Sequence, residues 1–214
     1  MALTIIVPGI VGAIALTVAG LDPDEDPALW AVALLQIPLW VGLLGSPLWA
    51  TRRKGRASLV ADFGLRMQWR DIPIGLGAGF AAQIVMGVVL QAFYRLLDLD
   101  TDKIGQAAED LTNNATDPVG VVLLVVVVVV AAPVLEELFY RGLWLRALER
   151  RWGTGWAVGL SALLFGAVHF QPYDFPALAG VGLLAALLTV RFGRLGPAIW
   201  FHVAFNLTAV ISLL

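Results

Sequence analysis

The chain has no cysteine, only two histidines in 214 residues, and charged side chains at just 14% of positions. Without thiols it can form no disulfide, no thiolate metal centre and no cysteine nucleophile. No His-Glu-x-x-His occurs, the helix-borne zinc motif of many metallopeptidases. The basic residues form no stripe of the kind nucleic acid requires, so nucleic acid is not an expected partner. No repeat of solenoid type is visible. The apolar first 20 residues lack the basic start and small-residue cleavage site of a signal peptide, and read as a retained first span.

What the chain does have is apolar surface. Hydrophobic residues make up 59% of it and the mean hydropathy is +0.84. A soluble domain of this length could not hide so much, and the composition is that of an integral membrane protein. A bilayer-crossing helix needs roughly 20 apolar residues. Seven candidates meet or approach that length: 3–20, 29–50, 73–97, 118–149, 155–170, 176–191 and 196–214. The expected fold is therefore all-α, a polytopic bundle of about seven transmembrane helices. Its N-terminal part, 1–117, supplies the first spans, and 118–214 forms a core that carries the polar motifs.

Charge alternates from loop to loop. Asp22, Asp24, Glu25 and Asp26 follow the first span, whereas Arg52, Arg53, Lys54 and Arg56 follow the second. The loop 98–117 holds six acidic residues against Lys103 alone. Arg146, Arg150 and Arg151 close the fourth span, and Arg191 and Arg194 the sixth. Basic loops stay in the cytoplasm, which places the N-terminus there and the C-terminus outside. The segment 57–72, with Trp69 and Arg70, is too polar to span. It suits an interfacial helix on the cytoplasmic face, or else an ordinary connecting loop.

Ionisable groups at membrane depth are costly and mark function by default. Three stretches carry them. The first is Glu136-Glu137-Leu138-Phe139-Tyr140-Arg141; the second pairs Phe165 with His169; the third pairs His202 with Asn206. Residues four apart share a helical face and adjacent ones diverge by about 100°. Glu137 and Arg141 can thus pair, leaving Glu136 as the free carboxylate on another face. The small Gly166 and Ala167 before His169 let a neighbouring helix come close. His202 and Asn206, one turn apart, can direct two hydrogen-bond donors at one point, as an oxyanion hole requires. A rise of about 1.5 Å per residue sets Glu136 and His169 at similar depth in their helices.

Taken together and in this order, Glu136-Glu137-x-x-x-Arg141, Phe165-x-x-x-His169 and His202-x-x-x-Asn206 resemble the CPBP intramembrane proteases. That family includes type II CAAX prenyl endopeptidases and the Abi group of bacteriocin-processing and immunity proteins. The likeness covers roughly 118–210. It implies an intramembrane endopeptidase acting on a membrane-bound or lipidated protein or peptide, with its cavity open toward the cytoplasm. By the same resemblance Glu136 and His169 activate a water, and His202 and Asn206 stabilise the oxyanion. Glu137 and Arg141 brace the site, and Phe165 packs beneath His169. No cofactor is favoured; zinc is the alternative, since Glu with two His is an acceptable ligand set. The family also suggests a bacterial cytoplasmic membrane. Competing readings are a non-proteolytic immunity or scaffold protein that binds a partner, and, more remotely, a proton-coupled carrier.

Overall fold

The computed structural model describes residues 29–214, so the first predicted span and its acidic loop lie outside the described residues. The described chain is helical without strands: α1 (Leu29–Lys54), α2 (Leu59–Phe63), α3 (Asp71–Leu96), α4 (Gln106–Asn113), α5 (Pro118–Trp152), α6 (Thr154–Ala167), α7 (Phe175–Phe192) and α8 (Gly196–Leu213). Five of these, α1, α3, α5, α7 and α8, are long and apolar enough to cross a membrane. The predicted fifth span is shorter than expected. α6 holds 14 residues, about 21 Å of helix against a hydrocarbon layer of about 30 Å. The chain leaves the helix at Ala167 and turns through 168–174 before α7.

Close helix contacts rest on small residues. α3 lies along α8, and a Cβ at Gly75 would press on Trp200 and Phe201, while one at Gly79 would run into the carbonyl of Phe201. A Cβ at Gly166 would sit 3.0 Å from the Ala179 nitrogen and 3.1 Å from the Phe175 ring, which is the close α6–α7 approach expected of Gly166. Around these contacts a core forms from Leu43, Phe139, Tyr140, Phe165, Val181, Ala185, Ala198 and Phe201.

α5 is the longest element, 35 residues or about 52 Å. It is not uniform: residues 125–131 and 137–144 are π-helical and flank a short α-helical stretch, Ala132–Glu136. Pro133 lacks an N–H to close an ordinary turn. Wider π turns absorb such defects and recur at functional sites. Here they lie on either side of Glu136.

In the segment 57–72 only α2 and the first two residues of α3 are helical. Ser58 caps its start by accepting from the Ala61 N–H, and Gly64, at φ 70°, ends it in the left-handed region. Phe63 inserts among Leu138, Leu195 and Ile199, so the segment is pinned under the bundle. Val60, Met67 and Trp69 stay exposed. Asp62 ties α2 to α1 through Thr51 and to the loop after it through Arg56, and Arg194 grips Asp71 through Nε and Nη2. Trp49, Trp69, Trp152 and Trp156 are exposed at this basic end, as an aromatic interfacial belt would be.

Candidate functional site

The three polar stretches meet. Glu137 and Arg141 are both fully buried on α5 and form an ion pair at 2.9 Å. Arg141 Nη2 also donates to the Gly182 carbonyl on α7 at 3.1 Å, and its guanidinium lies over the Phe165 ring, 4.3 Å from the centroid. A buried charge needs this degree of pairing, because an unpaired one loses its hydration without return.

His202, on α8, is bracketed by both carboxylates. Its Nδ1–H donates to Glu137 Oε1 at 3.0 Å, and its Nε2 lies 4.0 Å from Glu136 Oε2. Glu137 therefore orients two partners, Arg141 and His202, of which only the first is legible from spacing along one helix. Glu136 keeps partial exposure, 18% of its side chain, and faces a cavity.

His169 sits two residues beyond α6, with Nδ1 2.6 Å from the Phe165 carbonyl. A carbonyl oxygen can only accept, so Nδ1 carries the proton and Nε2 of a neutral ring keeps its lone pair. Phe165, fully buried, holds the two imidazoles apart: its ring centroid is 4.8 Å from that of His169 and 5.6 Å from that of His202. Tyr140 meets the same phenyl ring edge-on at 5.3 Å. Asn206 is placed one turn beyond His202 as expected, but its Nδ2 donates to the Val128 carbonyl at 2.9 Å. One of its two N–H groups is thus committed to the π-helical part of α5. Nothing in the sequence signals that Val128 is its partner, since the contact depends on the widened turn.

Glu136, Tyr140, His169, His202 and Asn206 line one cavity of about 850 Å³. Its floor is Leu43, Tyr140 and Phe165; its walls come from the first half of α1, the second half of α3 and the facing parts of α5, α7 and α8. Ile104, Ala108, Leu111 and Thr112, in and beside α4, lie across the far end. Gly105, at φ 76°, turns the chain into α4, and its N–H donates to Asp174 Oδ1 at 2.9 Å. Burial pushes the Asp174 carboxyl above the usual carboxylate range, and the Gly105 bond only partly offsets this. Tyr94 donates to the Tyr173 carbonyl at 2.9 Å, tying α3 to the same loop.

Among the described residues no three His, Cys, Asp or Glu side chains are grouped to hold a metal ion. Nδ1 of His202 is held by Glu137 and Nδ1 of His169 by a backbone carbonyl, which leaves Nε2 as the one uncommitted nitrogen of each ring. The grouping of Glu136, His169 and His202 that zinc would need is not formed among these residues.

Apolar spans enclosing a braced Glu/His/Asn cluster define a polytopic helical membrane protein with a site at membrane depth. Residues 118–208 match the family model described as type II CAAX prenyl endopeptidase Rce1-like. Over that stretch the chain is similar to the CPBP/CAAX proteases, a family of membrane proteases, in line with its motifs. No curated protein and no solved structure matches the chain.

Proposed function

We propose that this protein is an intramembrane endopeptidase that hydrolyses a peptide bond of a membrane-associated protein or peptide with a water activated by Glu136 and His169. The observation that carries the reading is the division of labour between the two adjacent carboxylates. Glu137 is fully buried and held through Oε1 by Arg141 and His202, whereas Glu136 faces the cavity that His169, His202 and Asn206 also line.

In the proposed reaction the water oxygen attacks the scissile carbonyl carbon and its proton passes to Glu136 or to Nε2 of His169. The tetrahedral oxyanion is met by the free N–H of Asn206 and by His202. Because Nδ1–H of His202 is held by Glu137, only a doubly protonated ring also offers Nε2–H to the oxyanion. Glu137 carries the balancing charge. Collapse breaks the C–N bond, and the departing amine takes the proton that the base received, leaving a carboxylic acid and an amine; the acid then ionises and its proton passes to the amine. General-base assistance is worth about 10²- to 10⁴-fold in rate.

The test compares the N- and C-termini of the membrane proteome in cells carrying the wild type or Glu136→Gln at matched expression. Termini unique to the wild type are expected, and they name the substrate. The Asn206–Val128 bond favours a second reading, in which the polar groups only lock helices together in a scaffold or immunity protein. Identical termini, with the phenotype kept in Glu136→Gln, decide for it.

A further inference from the structure

The two ends of the molecule differ sharply in charge. Of the 14 Lys and Arg, all but Arg95, Lys103 and the buried Arg141 lie at the end that holds the α1–α3 loop, the α5–α6 turn and the α7–α8 turn. The opposite end, with the 97–117 segment and the 168–174 turn, carries Asp98, Asp100, Asp102, Glu109, Asp110, Asp117 and Asp174. By the retention of basic loops, the first end is cytoplasmic and the second faces outward.

The cavity lies wholly on the acidic side of its floor. Among the described residues that line it, none comes from 44–82 or from 182–201, the segments that build the basic end. Below the floor the path is closed by the Glu137–Arg141 pair, Phe139 and Phe201, all buried. The cause is visible in the helix lengths. α6 stops about a third short of a full crossing, and the recess it leaves is on the acidic side, where His169 and the 168–174 turn enter the cavity wall. A cytoplasmic basic end and a cytoplasm-facing cavity, both expected from the sequence, therefore cannot hold together.

We infer that the site takes its substrate from the non-cytoplasmic side, past α4, so that its substrates are membrane-anchored polypeptides whose scissile segment lies in the outer half of the bilayer. This rests on the reading of the site as an endopeptidase, while the side of access rests only on geometry and charge. Apolar residues of α4 form the cover, and the acidic rim around it favours a segment carrying basic rather than acidic side chains.

The absence of native cysteine makes the test direct. Single cysteines are placed at Ala132→Cys, one turn before Glu136 on the cavity wall, at Asp102→Cys in the acidic loop and at Lys54→Cys in the basic one. Intact cells are treated with a charged, membrane-impermeant methanethiosulfonate. The expected result is modification of Asp102→Cys and Ala132→Cys without permeabilisation, and of Lys54→Cys only after it. Reaction of Ala132→Cys only after permeabilisation overturns the inference, as does its failure to react from either side. Modification of Lys54→Cys in intact cells overturns it too, because the molecule is then inverted. Unchanged termini in Glu136→Gln cells would remove the protease reading and the substrate class with it, but not the labelled side.

Discussion

Arg141 carries more of this site than any residue that touches the cavity. It joins Glu137 on its own helix to Gly182 on α7 and stacks on Phe165, which in turn spaces the two histidines. Removing one partner of a buried ion pair strands the other charge and costs about 3–5 kcal/mol. Arg141→Met is expected to lose stability on this scale, read as a lowered Tm of the detergent-solubilised protein. Arg141→Lys should rescue little, since an ammonium cannot serve the Glu137 carboxylate, the Gly182 carbonyl and the aromatic face from one fixed plane. Glu136→Gln should leave Tm unchanged while abolishing cleavage. A Tm that falls equally in Glu136→Gln and Arg141→Met would contradict the separation of the two carboxylates into free and braced.

Among elements, the α3–α8 contact depends on absent side chains, which allows a sharp comparison within one helix. A Cβ at Gly79 meets the Phe201 backbone, whereas one at Gly77, two residues earlier, meets nothing within 4 Å. Overpacking of this kind costs about 1–3 kcal/mol. Gly79→Ala is expected to lower Tm and Gly77→Ala to leave it unmoved or slightly raised. The short α2 is held differently, by charge. Hydrogen bonds from Thr51 and from the Arg56 backbone hold the Asp62 carboxyl down at about 2, against an ordinary value of 3.8. A depressed folded-state value means the stabilisation is complete above the ordinary value and is lost as pH falls from about 4 through about 2. Hydrogen-exchange protection of residues 56–64, taken relative to the intrinsic rate at each pH, should fall across that window in the wild type. In Asp62→Asn that protection should be low and independent of pH there.

At the scale of the whole molecule, composition and hydropathy made the helical membrane class and most span limits legible. The predicted 73–97 and 176–191 differ from α3 and α7 by only one or two residues at each end. Spacing along single helices likewise anticipated the Glu137–Arg141 pair and the Gly166 contact. Three features were not legible. The π turns of α5 are invisible in a pattern read at 100° per residue, so the Asn206–Val128 bond could not be foreseen. The early stop of α6 leaves no mark in hydropathy, because Val168 and Phe170 continue the apolar run past the last helical residue. The position of α4 over the cavity is set by Gly105 and Asp174, 69 residues apart, and local sequence carries no sign of it.

These tertiary links also bear on the division at residue 117. The matched family stretch begins at Pro118, yet α3 lies along α8 and α1 packs on the π-helical part of α5. Leu39, Trp40 and Met86, from α1 and α3, pack on the core around Phe165 and Phe201 and also wall the cavity. Residues 118–214 expressed alone would then expose the glycine-fitted face of α8 and lack two walls of the site. Lipid fills such a face less closely than a complementary helix does, because association in membranes is driven by packing of small residues. The isolated segment is expected to elute as aggregate on size exclusion in detergent. Co-expression with 1–117 as a separate chain should restore a monodisperse complex and, in the same fraction, the cleavage lost in the segment alone. A monodisperse and active 118–214 would show instead that the N-terminal helices only accompany a self-sufficient core.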